Sequence, residues 1–266
     1  MRNRIKNVGY MQCEISIVEH CNLNCAHCNH FSPLVDHEIF LDLEEYRKQA
    51  MRLGELFPDK MKMFSLIGGE PLLHPQINEF IKAARAAFPD PEKTELQIWT
   101  NGLCFKSMPE EFWQTVRENK VIIELSEYNT PKIPYEEFHK ILSEKGVDWA
   151  VPKEKTDPMF HIYVNCEEEQ DDMENFCDRC YYSDRCLVCK DGRLFTCPVA
   201  AALPHYDRAF GTHLANDEAY GMDIYTHSAE ELLRFVNTPI RQCMKCDLTP
   251  KVYFDWEKST KKQEEW

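Results

Sequence analysis

The first 165 residues alternate short runs rich in β-branched and aromatic residues with amphipathic helical patterns, and this alternation is the feature that most constrains the fold. Six runs predict strands, at residues 13–18, 61–67, 95–99, 121–125, 147–151 and 160–164. Strands that alternate with helices form parallel sheets or barrels, because each helix returns the chain to the start of the next strand. We therefore expect an α/β fold, a partial (β/α)6 TIM-like barrel with its functional residues at the carboxyl ends of the strands.

The segments between these runs carry helix signals. Asp42 followed by Glu45 has the spacing of a capping box at the start of the first helix. The fourth helix is predicted to begin near Pro134 and to end before Gly146, a residue suited to the left-handed position after a helix. Residues 152–159 are too few for a crossover helix, so we expect the last strand to pair differently.

The 13 cysteines and the charge of the chain limit its class of function. No run of 18 apolar residues occurs and the N-terminus lacks the apolar region of a signal peptide, which predicts a cytoplasmic protein without a membrane partner. Thiols stay reduced in the cytoplasm, so a disulfide framework is excluded and metal or redox chemistry remains. The formal net charge of -14 argues against a nucleic-acid partner.

The stretch EHCNLNCAHCNHFSPL, residues 19–34, places Cys21, Cys25 and Cys28 in a C-x3-C-x2-C pattern after the first predicted strand. This spacing is too tight for disulfide pairing and leaves one cysteine over, so metal binding is the first interpretation. Three thiolates supply three of the four ligands of a [4Fe–4S] cluster and leave one iron open. Three nearby histidines keep a zinc site open as an alternative.

A second motif, LIGGEPLLHP at 66–75, ends the second predicted strand. Gly68 and Gly69 allow the backbone to approach a ligand closely, and Glu70 offers a carboxylate to an ammonium group. Taken alone, an ordinary strand-to-helix turn explains the same residues.

Together, CNLNCAHC and GGEP, one strand and one helix apart, resemble the radical S-adenosylmethionine (SAM) superfamily. The resemblance implies that Cys21, Cys25 and Cys28 hold a [4Fe–4S] cluster whose fourth iron is chelated by the amino and carboxylate groups of SAM. It implies a 5′-deoxyadenosyl radical, formed when a reduced flavodoxin or ferredoxin supplies one electron, which abstracts hydrogen from unactivated carbon.

The same resemblance assigns SAM-binding residues to the ends of the first four strands. His27 corresponds to the usually aromatic residue beside the adenine, and the GGE motif receives the methionine ammonium. The candidate residues are His27, Gly68, Gly69, Glu70, Thr100, Asn101 and Ser126, with Glu124 as a weaker candidate. Turn chemistry is the alternative explanation for the Thr-Asn pair.

The residues after 165 have a different composition, with eight cysteines, and we predict a core domain at 1–165 and an auxiliary domain at 166–266. GRLFTC followed much later by CMKC resembles the twitch domain of the SPASM/twitch branch, which binds one auxiliary [4Fe–4S] cluster. Cys197, Cys243 and Cys246 correspond directly to its ligands. The remaining ligand stays open among Cys177, Cys180, Cys186 and Cys189, as do a second auxiliary cluster and a structural zinc ribbon.

Relatives with this architecture dehydrogenate or epimerise small carbohydrates and aminocyclitols, or mature ribosomal peptides. Because only about a dozen residues precede the first strand, no peptide-recognition module is expected there. We therefore predict a radical SAM oxidoreductase or epimerase acting on a carbohydrate-like or other small polar substrate. A peptide maturase is the alternative, and a non-enzymatic zinc-binding interaction protein is a remote one.

Two features stay outside this interpretation. Cys104, just after the TNG sequence, lies where a thiol returns hydrogen to a substrate radical in an epimerase, or it is simply a packed small hydrophobe. The charged stretch 255–266 is predicted to be mostly solvated, with Trp256 or Trp266 docking on the auxiliary domain.

Overall fold

The structure is a computed structural model, and it describes residues 11–130, 132–152, 159–164, 180, 182, 186–215 and 220–266. Side chains are described in these ranges except at 159–163 and 247–254. The cysteines at 166 and 177 lie outside the described residues. Among the helices of the described ranges, none is both long enough and apolar enough to cross a membrane.

Five parallel strands form the body of the main sheet, and their order across it follows their order along the chain. The strands are β1 Met11–Val18, β2 Met61–Gly68, β3 Glu95–Thr100, β4 Val121–Leu125 and β5 Trp149–Ala150. The helices between them are α1 Leu43–Leu56, α2 Ile77–Ala87, α3 Glu110–Glu118 and α4 Tyr135–Lys145. This succession confirms the predicted α/β fold, a partial TIM-like barrel.

The predicted helix ends are found, with one difference. The Asp42 side chain accepts hydrogen bonds from the backbone N–H groups of Glu44 and Glu45, at 2.9 and 3.1 Å, and so caps α1. The Glu45 carboxylate does not complete a capping box, since it accepts a 2.6 Å bond from Lys48 instead. Gly146 ends α4 in the left-handed conformation, at φ 61°.

The sixth predicted strand, β6 Met159–Val164, forms but leaves the main sheet, as the short connection before it indicates. It pairs antiparallel with β10 Cys246–Phe254. A different strand, β7 Leu187–Lys190, is the sixth parallel strand of the main sheet, and it pairs with β1 at the opposite edge from β5. Two antiparallel strands extend that edge, β8 Arg193–Phe195 and β9 Met222–Asp223.

The two faces of β1 have opposite character. Met11, Cys13 and Ile15 are at most 2% exposed and join the hydrophobic core shared with the helices. On the opposite face, Gln12 and Glu14 line a cavity inside the curved sheet. Strict alternation along a strand places the apolar set under the helices and leaves the polar set for the interior.

Buried polar contacts connect the later elements to the end of β1. Lys190 of β7 donates a 2.9 Å bond to Glu19, and His205 of α5 Pro198–Phe210 contacts the same carboxylate oxygen at 2.7 Å. Burial alone raises a carboxyl pKa, but the His205 and Lys190 contacts outweigh it and lower the pKa of Glu19 to about 2. The main sheet thus continues past residue 165, and the division into two domains there stays a prediction.

The last helix, α6 Ala229–Val236, begins with a complete capping box. The Ser228 side chain accepts from the Glu231 backbone, and the Glu231 side chain accepts from the Ser228 N–H at 2.8 Å. A short 3-10 helix, Arg241–Lys245, then leads directly into β10. Helix α6 thus carries the chain back towards the final cysteine pair, Cys243 and Cys246.

Candidate active site

Three thiols surround one side of a cavity of about 610 Å³ at the carboxyl ends of the strands. Cys21, Cys25 and Cys28 all line it, on the loop that follows β1. Asn24 and His27, which directly precede two of the cysteines, are in the left-handed conformation at φ 55° and 57°. These turns coil the loop tightly, so that three cysteines within eight residues reach one space.

The electrostatics of this loop favour a bound cationic centre. Burial first, and then the charges of Glu70, Cys28 and Cys25, raise the pKa of Cys21 to about 12. Crowded thiolates repel one another unless metal cations neutralise them. The donor set of three thiols facing a shared space therefore fits an iron–sulfur cluster with one open iron.

The glycines of GGEP are required by a close approach of the backbone. A Cβ on Gly68 would lie 2.0 Å from the Val18 carbonyl oxygen, and one on Gly69 would lie 2.0 Å from the His20 carbonyl oxygen. Both glycines also line the cavity. The end of β2 is thereby held against the end of β1, directly beside the cysteine loop.

The Glu70 side chain connects this turn to β3 and is fully buried. Its carboxylate accepts bonds from the Leu72 N–H at 3.0 Å, the Thr100 hydroxyl at 2.7 Å and the Asn101 N–H at 2.9 Å. Burial raises the pKa of Glu70 to about 7 in spite of these three bonds. The carboxylate thus positions neighbouring backbone, while the two glycines present the motif to the cavity.

The other predicted SAM-binding residues converge on the same cavity. His27, Thr100, Asn101 and Ser126 all line it. The Asn101 amide donates to Cys21 Sγ at 3.7 Å and to the Asn22 side chain at 2.8 Å, which connects the end of β3 to the cysteine loop. Four strand ends therefore contribute to one site, as parallel topology predicts.

Tyr128 is a cavity residue that the sequence analysis did not single out. Its backbone N–H donates to the Tyr135 hydroxyl at 3.0 Å. Burial and then the charges of Cys25, Cys28 and Cys21 raise the pKa of Tyr128 well above its ordinary value. Its position could have indicated this role, because Tyr128 follows the predicted site residue Ser126 by two residues, at the end of the ELSEY sequence.

Residues 255–266, here called the C-terminal segment, lie across the cysteine loop. The Ala26 N–H donates to the Glu257 carbonyl and the Ser259 N–H to the Asn24 carbonyl, each at 2.9 Å. His27 Nδ1 lies 2.6 Å from the Glu265 carbonyl oxygen. Most side chains of this segment are exposed, as predicted, but its backbone contacts with the cysteine loop were not predicted, because composition does not encode them.

The interior of the sheet below the thiols is polar. Glu14, Ser65 and Gln97 are register neighbours on β1, β2 and β3, and all three line the cavity. The Ser65 hydroxyl donates to Gln97 at 3.2 Å, and the Gln97 amide donates to Glu124 at 3.3 Å. His30 faces this layer, with its Nε2 3.4 Å from Glu14 Oε1.

A second group of cysteines surrounds a much smaller cavity of about 20 Å³. Cys197, Cys243 and Cys246 line it together with apolar residues of α5. Burial raises the pKa of Cys197, and the charges of Cys180 and Cys243 raise it further, so Cys180 lies near this group. Cys197 also caps α5, where its Sγ accepts the Ala200 N–H at 3.3 Å.

The other candidate ligands of this region lie elsewhere. Cys186 lines the large cavity with Tyr182. Cys189 is fully buried in the core, and its thiol donates to Gln49 at 3.4 Å. Across the described residues, three or more His, Cys, Asp or Glu side chains nowhere converge on a single-ion site.

Cys104 stands apart from the cavity lining among the described residues. It is partly buried against the hydrophobic core, and the Asn22 amide donates to its Sγ at 3.5 Å. Burial raises the pKa of Cys104 to about 11. These surroundings fit the packing role better than hydrogen transfer to a substrate in the cavity.

Comparison with known proteins agrees with this geometry. The GTP 3′,8-cyclase of Trichodesmium erythraeum (strain IMS101) is 32% identical over 111 residues, which cover 41% of this chain and 32% of that enzyme. The GTP 3′,8-cyclase of Rippkaea orientalis (strain PCC 8801 / RF-1) is 27% identical over 160 residues, which cover 59% of this chain and 45% of that enzyme. The chain thus spans less than half the length of these curated relatives.

Among solved structures, BtrN in complex with AdoMet and 2-DOIA matches over 97% of both chains, with a TM-score of 0.53 and 15% identity, which supports the shared fold. The family model of the radical SAM superfamily matches residues 15–153, just over half of the chain. This family implies a [4Fe–4S] cluster and SAM as cofactors. The chain belongs to the radical SAM superfamily.

Proposed function

We propose that this radical SAM enzyme abstracts hydrogen from a small hydroxylated or aminated substrate bound in the interior of the sheet, and that the substrate is oxidised. The observation that carries the proposal is one continuous cavity, lined by the three thiols at one side and by a polar layer at the other. A radical formed at the thiol side reaches a substrate on the polar layer without passing through water.

Cys21, Cys25 and Cys28 are the proposed ligands of the SAM-binding cluster. When bound, that cluster and SAM supply the 5′-deoxyadenosyl radical. The role of the chain is to orient and enclose the reactants. Gly68 and Gly69 leave room beside the loop, and His27 and Ser126 are the proposed contacts to SAM.

The polar layer supports the substrate class. Glu14 Oε1 and His30 Nε2 face each other at 3.4 Å, both residues line the cavity, and within the described residues neither of these two buried atoms makes a hydrogen bond. A buried ion pair with no hydrogen bond to support it gains when a bound ligand supplies hydrogen-bonding groups. Hydroxyl and amino groups bond to carboxylate and imidazole, so a carbohydrate-like or aminocyclitol-like substrate fits the site.

A nucleotide is the second candidate, because the curated relatives are GTP 3′,8-cyclases. A triphosphate requires cationic partners, usually Arg or Lys. The described residues that line the cavity include no Lys or Arg, whereas they include the Glu14 carboxylate. The charge of the described lining therefore favours the hydroxylated or aminated substrate.

Cys180, Cys197, Cys243 and Cys246 are the proposed ligands of one auxiliary [4Fe–4S] cluster of the twitch type. Two observations support this set: Cys197, Cys243 and Cys246 line the small apolar cavity, and the charges of Cys180 and Cys243 raise the pKa of Cys197. Cys186 lines the large cavity instead. With four thiolate ligands such a cluster has no open iron, so its use is to accept an electron. This use supports oxidation over epimerisation, which is redox-neutral.

A reduced flavodoxin or ferredoxin is the proposed electron donor, and the reduced thiols fit a cytoplasmic location. In the proposed oxidation the substrate loses one hydrogen atom from carbon, then one proton and one electron, and a C–OH or C–NH group becomes C=O or C=N. The electron leaves to the auxiliary site. The proton leaves to a base, for which Glu14 and His30 are the nearest described candidates.

The test is the formation of 5′-deoxyadenosine by anaerobically reconstituted protein with dithionite, measured with cyclic polyols, aminocyclitols and GTP. We expect about eight irons per chain, stimulation by a polyol or aminocyclitol, and a product that has lost two hydrogen atoms. Stimulation by GTP alone, or a product that gains one deuterium from deuterated buffer without oxidation, would contradict the proposal.

Two variants, each replacing one glutamate by glutamine, test the polar layer separately. Glu14→Gln is expected to raise KM for the active compound, because the substrate loses a charged acceptor. Glu92→Gln is the matched control, since that side chain is 86% exposed and remote from the cavity. Equal KM values for both variants would show that Glu14 does not contact the substrate.

A further inference from the structure

The C-terminal segment contacts the cysteine loop with two tryptophans that have different partners. Trp256 Nε1 donates to Cys25 Sγ at 3.1 Å. Trp266 Nε1 donates to the Cys28 backbone carbonyl at 3.0 Å, and this side chain is 2% exposed. The N–H of one indole therefore donates to a sulfur atom, and the N–H of the other donates to a backbone carbonyl.

Contacts of the residues on both sides of Trp256 hold this part of the segment in place. The Asn129 amide, on the loop after β4, donates to the Asp255 side chain at 2.8 Å. On the other side, Cys25 and Lys258 form an antiparallel bridge. One side-chain contact, at Asp255, and one backbone bridge, at Lys258, thus hold the chain within two residues of Trp256 and keep its indole N–H beside the sulfur.

An N–H group that points at a ligand sulfur withdraws electron density from it. Hydrogen bonds to cluster sulfurs stabilise the more negative, reduced state and raise the reduction potential. A backbone carbonyl of a ligand residue has no such direct effect on the metal. The two tryptophans are thus expected to separate into an electronic and a structural role.

We propose that Trp256 is a positioning residue that sets the reduction potential of the cluster on Cys21, Cys25 and Cys28 through its hydrogen bond to Cys25 Sγ. This inference rests on the proposed cluster site. Trp266 fixes the loop backbone, with its ring 6.1 Å from Phe31 and 6.2 Å from Phe210. The C-terminal segment then contributes to the active site across a separation of 231 residues in the chain.

The experiment is a redox titration of the reconstituted full chain, monitored by electron paramagnetic resonance. The signal of interest is the one that changes on addition of SAM, which separates this cluster from the auxiliary one. Trp256→Phe keeps an aromatic ring and removes the N–H. We expect the potential to become more negative while iron content stays unchanged.

Trp266→Phe is the matched control, because it also removes one indole N–H from the same loop. We expect its potential to match that of the natural protein and its melting temperature to fall. An unchanged potential in Trp256→Phe, or an equal shift in both variants, would overturn the inference. If Trp256→Phe does not retain its iron, the isosteric benzothienyl analogue of tryptophan at 256 gives the same test with the shape preserved.

Failure of the proposed cluster site has a different signature. In that case no signal responds to SAM, and Cys25→Ala retains the full iron content. A SAM-responsive signal with an unmoved potential in Trp256→Phe contradicts only the role of Trp256.

Discussion

The two cysteine groups of this protein differ in the space that they enclose. Cys21, Cys25 and Cys28 line a cavity of about 610 Å³ that extends to a polar layer. Cys197, Cys243 and Cys246 line an apolar cavity of about 20 Å³, with Cys180 nearby. In the proposed function this difference matters, because the open site would admit cofactor and substrate, whereas the closed site would serve electron transfer alone.

The variant with the largest expected effect disrupts the open site and leaves the closed site intact. Cys25→Ala removes one of three ligands, so we expect SAM cleavage under dithionite to be abolished and iron to fall by about half. Iron analysis and chromatographic assay of 5′-deoxyadenosine measure the two outcomes. Cys104→Ala is the control, since this thiol lies close by but outside the described cavity lining, and its iron content should be unchanged. Continued formation of 5′-deoxyadenosine by Cys25→Ala would contradict the assignment of the SAM-binding cluster to the open site.

The second variant breaks the closed site. Cys243→Ala combined with Cys246→Ala is expected to lower iron by about half and to suppress oxidised product, while SAM cleavage continues. The separation follows because the two groups share no ligand. Product mass and 5′-deoxyadenosine yield are measured in the same reaction. Undiminished oxidised product would show that the closed site takes no part in the reaction.

A glycine beside the open site and a glycine in the turn between β7 and β8 show how differently two close approaches are built. A Cβ on Gly69 meets the His20 backbone carbonyl at 2.0 Å, whereas one on Gly192 meets the Tyr225 ring at 2.7 Å. The ring is 44% exposed and can move, but backbone cannot. We expect Gly69→Ala to lower the free energy of unfolding by about 3 kcal/mol or more, and Gly192→Ala, at φ +70°, by about 1–2 kcal/mol. Urea unfolding measures both, and equal losses would contradict the backbone explanation.

The last expected effect concerns pH and the Glu70 carboxyl beside the open site. The pKa of Glu70 is raised from an ordinary 4.5 to about 7, so the folded state binds the proton more tightly than the unfolded state. Its contribution to stability is full at low pH and is lost as pH rises from about 4.5 to 7. We expect this loss to be about 3 kcal/mol, and Glu70→Gln to abolish that part of the pH dependence. A pH dependence of unfolding that is identical in the variant would contradict this account.

Much of the fold follows from local signals, and the exceptions have physical causes. Strands β1 to β5 alternate with amphipathic helices, so period and propensity identify them. The edge beside β1 is filled by β7, which pairs through backbone groups across more than 150 residues of chain, and no periodicity encodes a partner. The sixth predicted strand was found, but its partner β10 was not predicted because pairing is a tertiary choice.

The candidate site divides in the same way. The family resemblance predicted Cys21, Gly68 and Asn101 as site residues, and all three line one cavity because the ends of parallel strands meet at one edge. The Glu14–His30 pair was missed, since a single carboxylate in a strand gives no local sign of the cavity that it faces. The prediction was that Trp256 or Trp266 docks on the auxiliary domain: Trp266 packs against Phe210 of that region, whereas Trp256 contacts Cys25, because its position depends on backbone bonds of residues 257 and 259.

The long separation between the cysteine loop and the segment that covers it has a consequence during synthesis. Translation delivers the loop and the first five strands well before residues 255–266 leave the ribosome. Until then Cys25 lacks its contact with Trp256, and Ala26 lacks its bond to the Glu257 carbonyl. A nascent chain therefore presents the three thiols without the cover of this segment until its last residues are made.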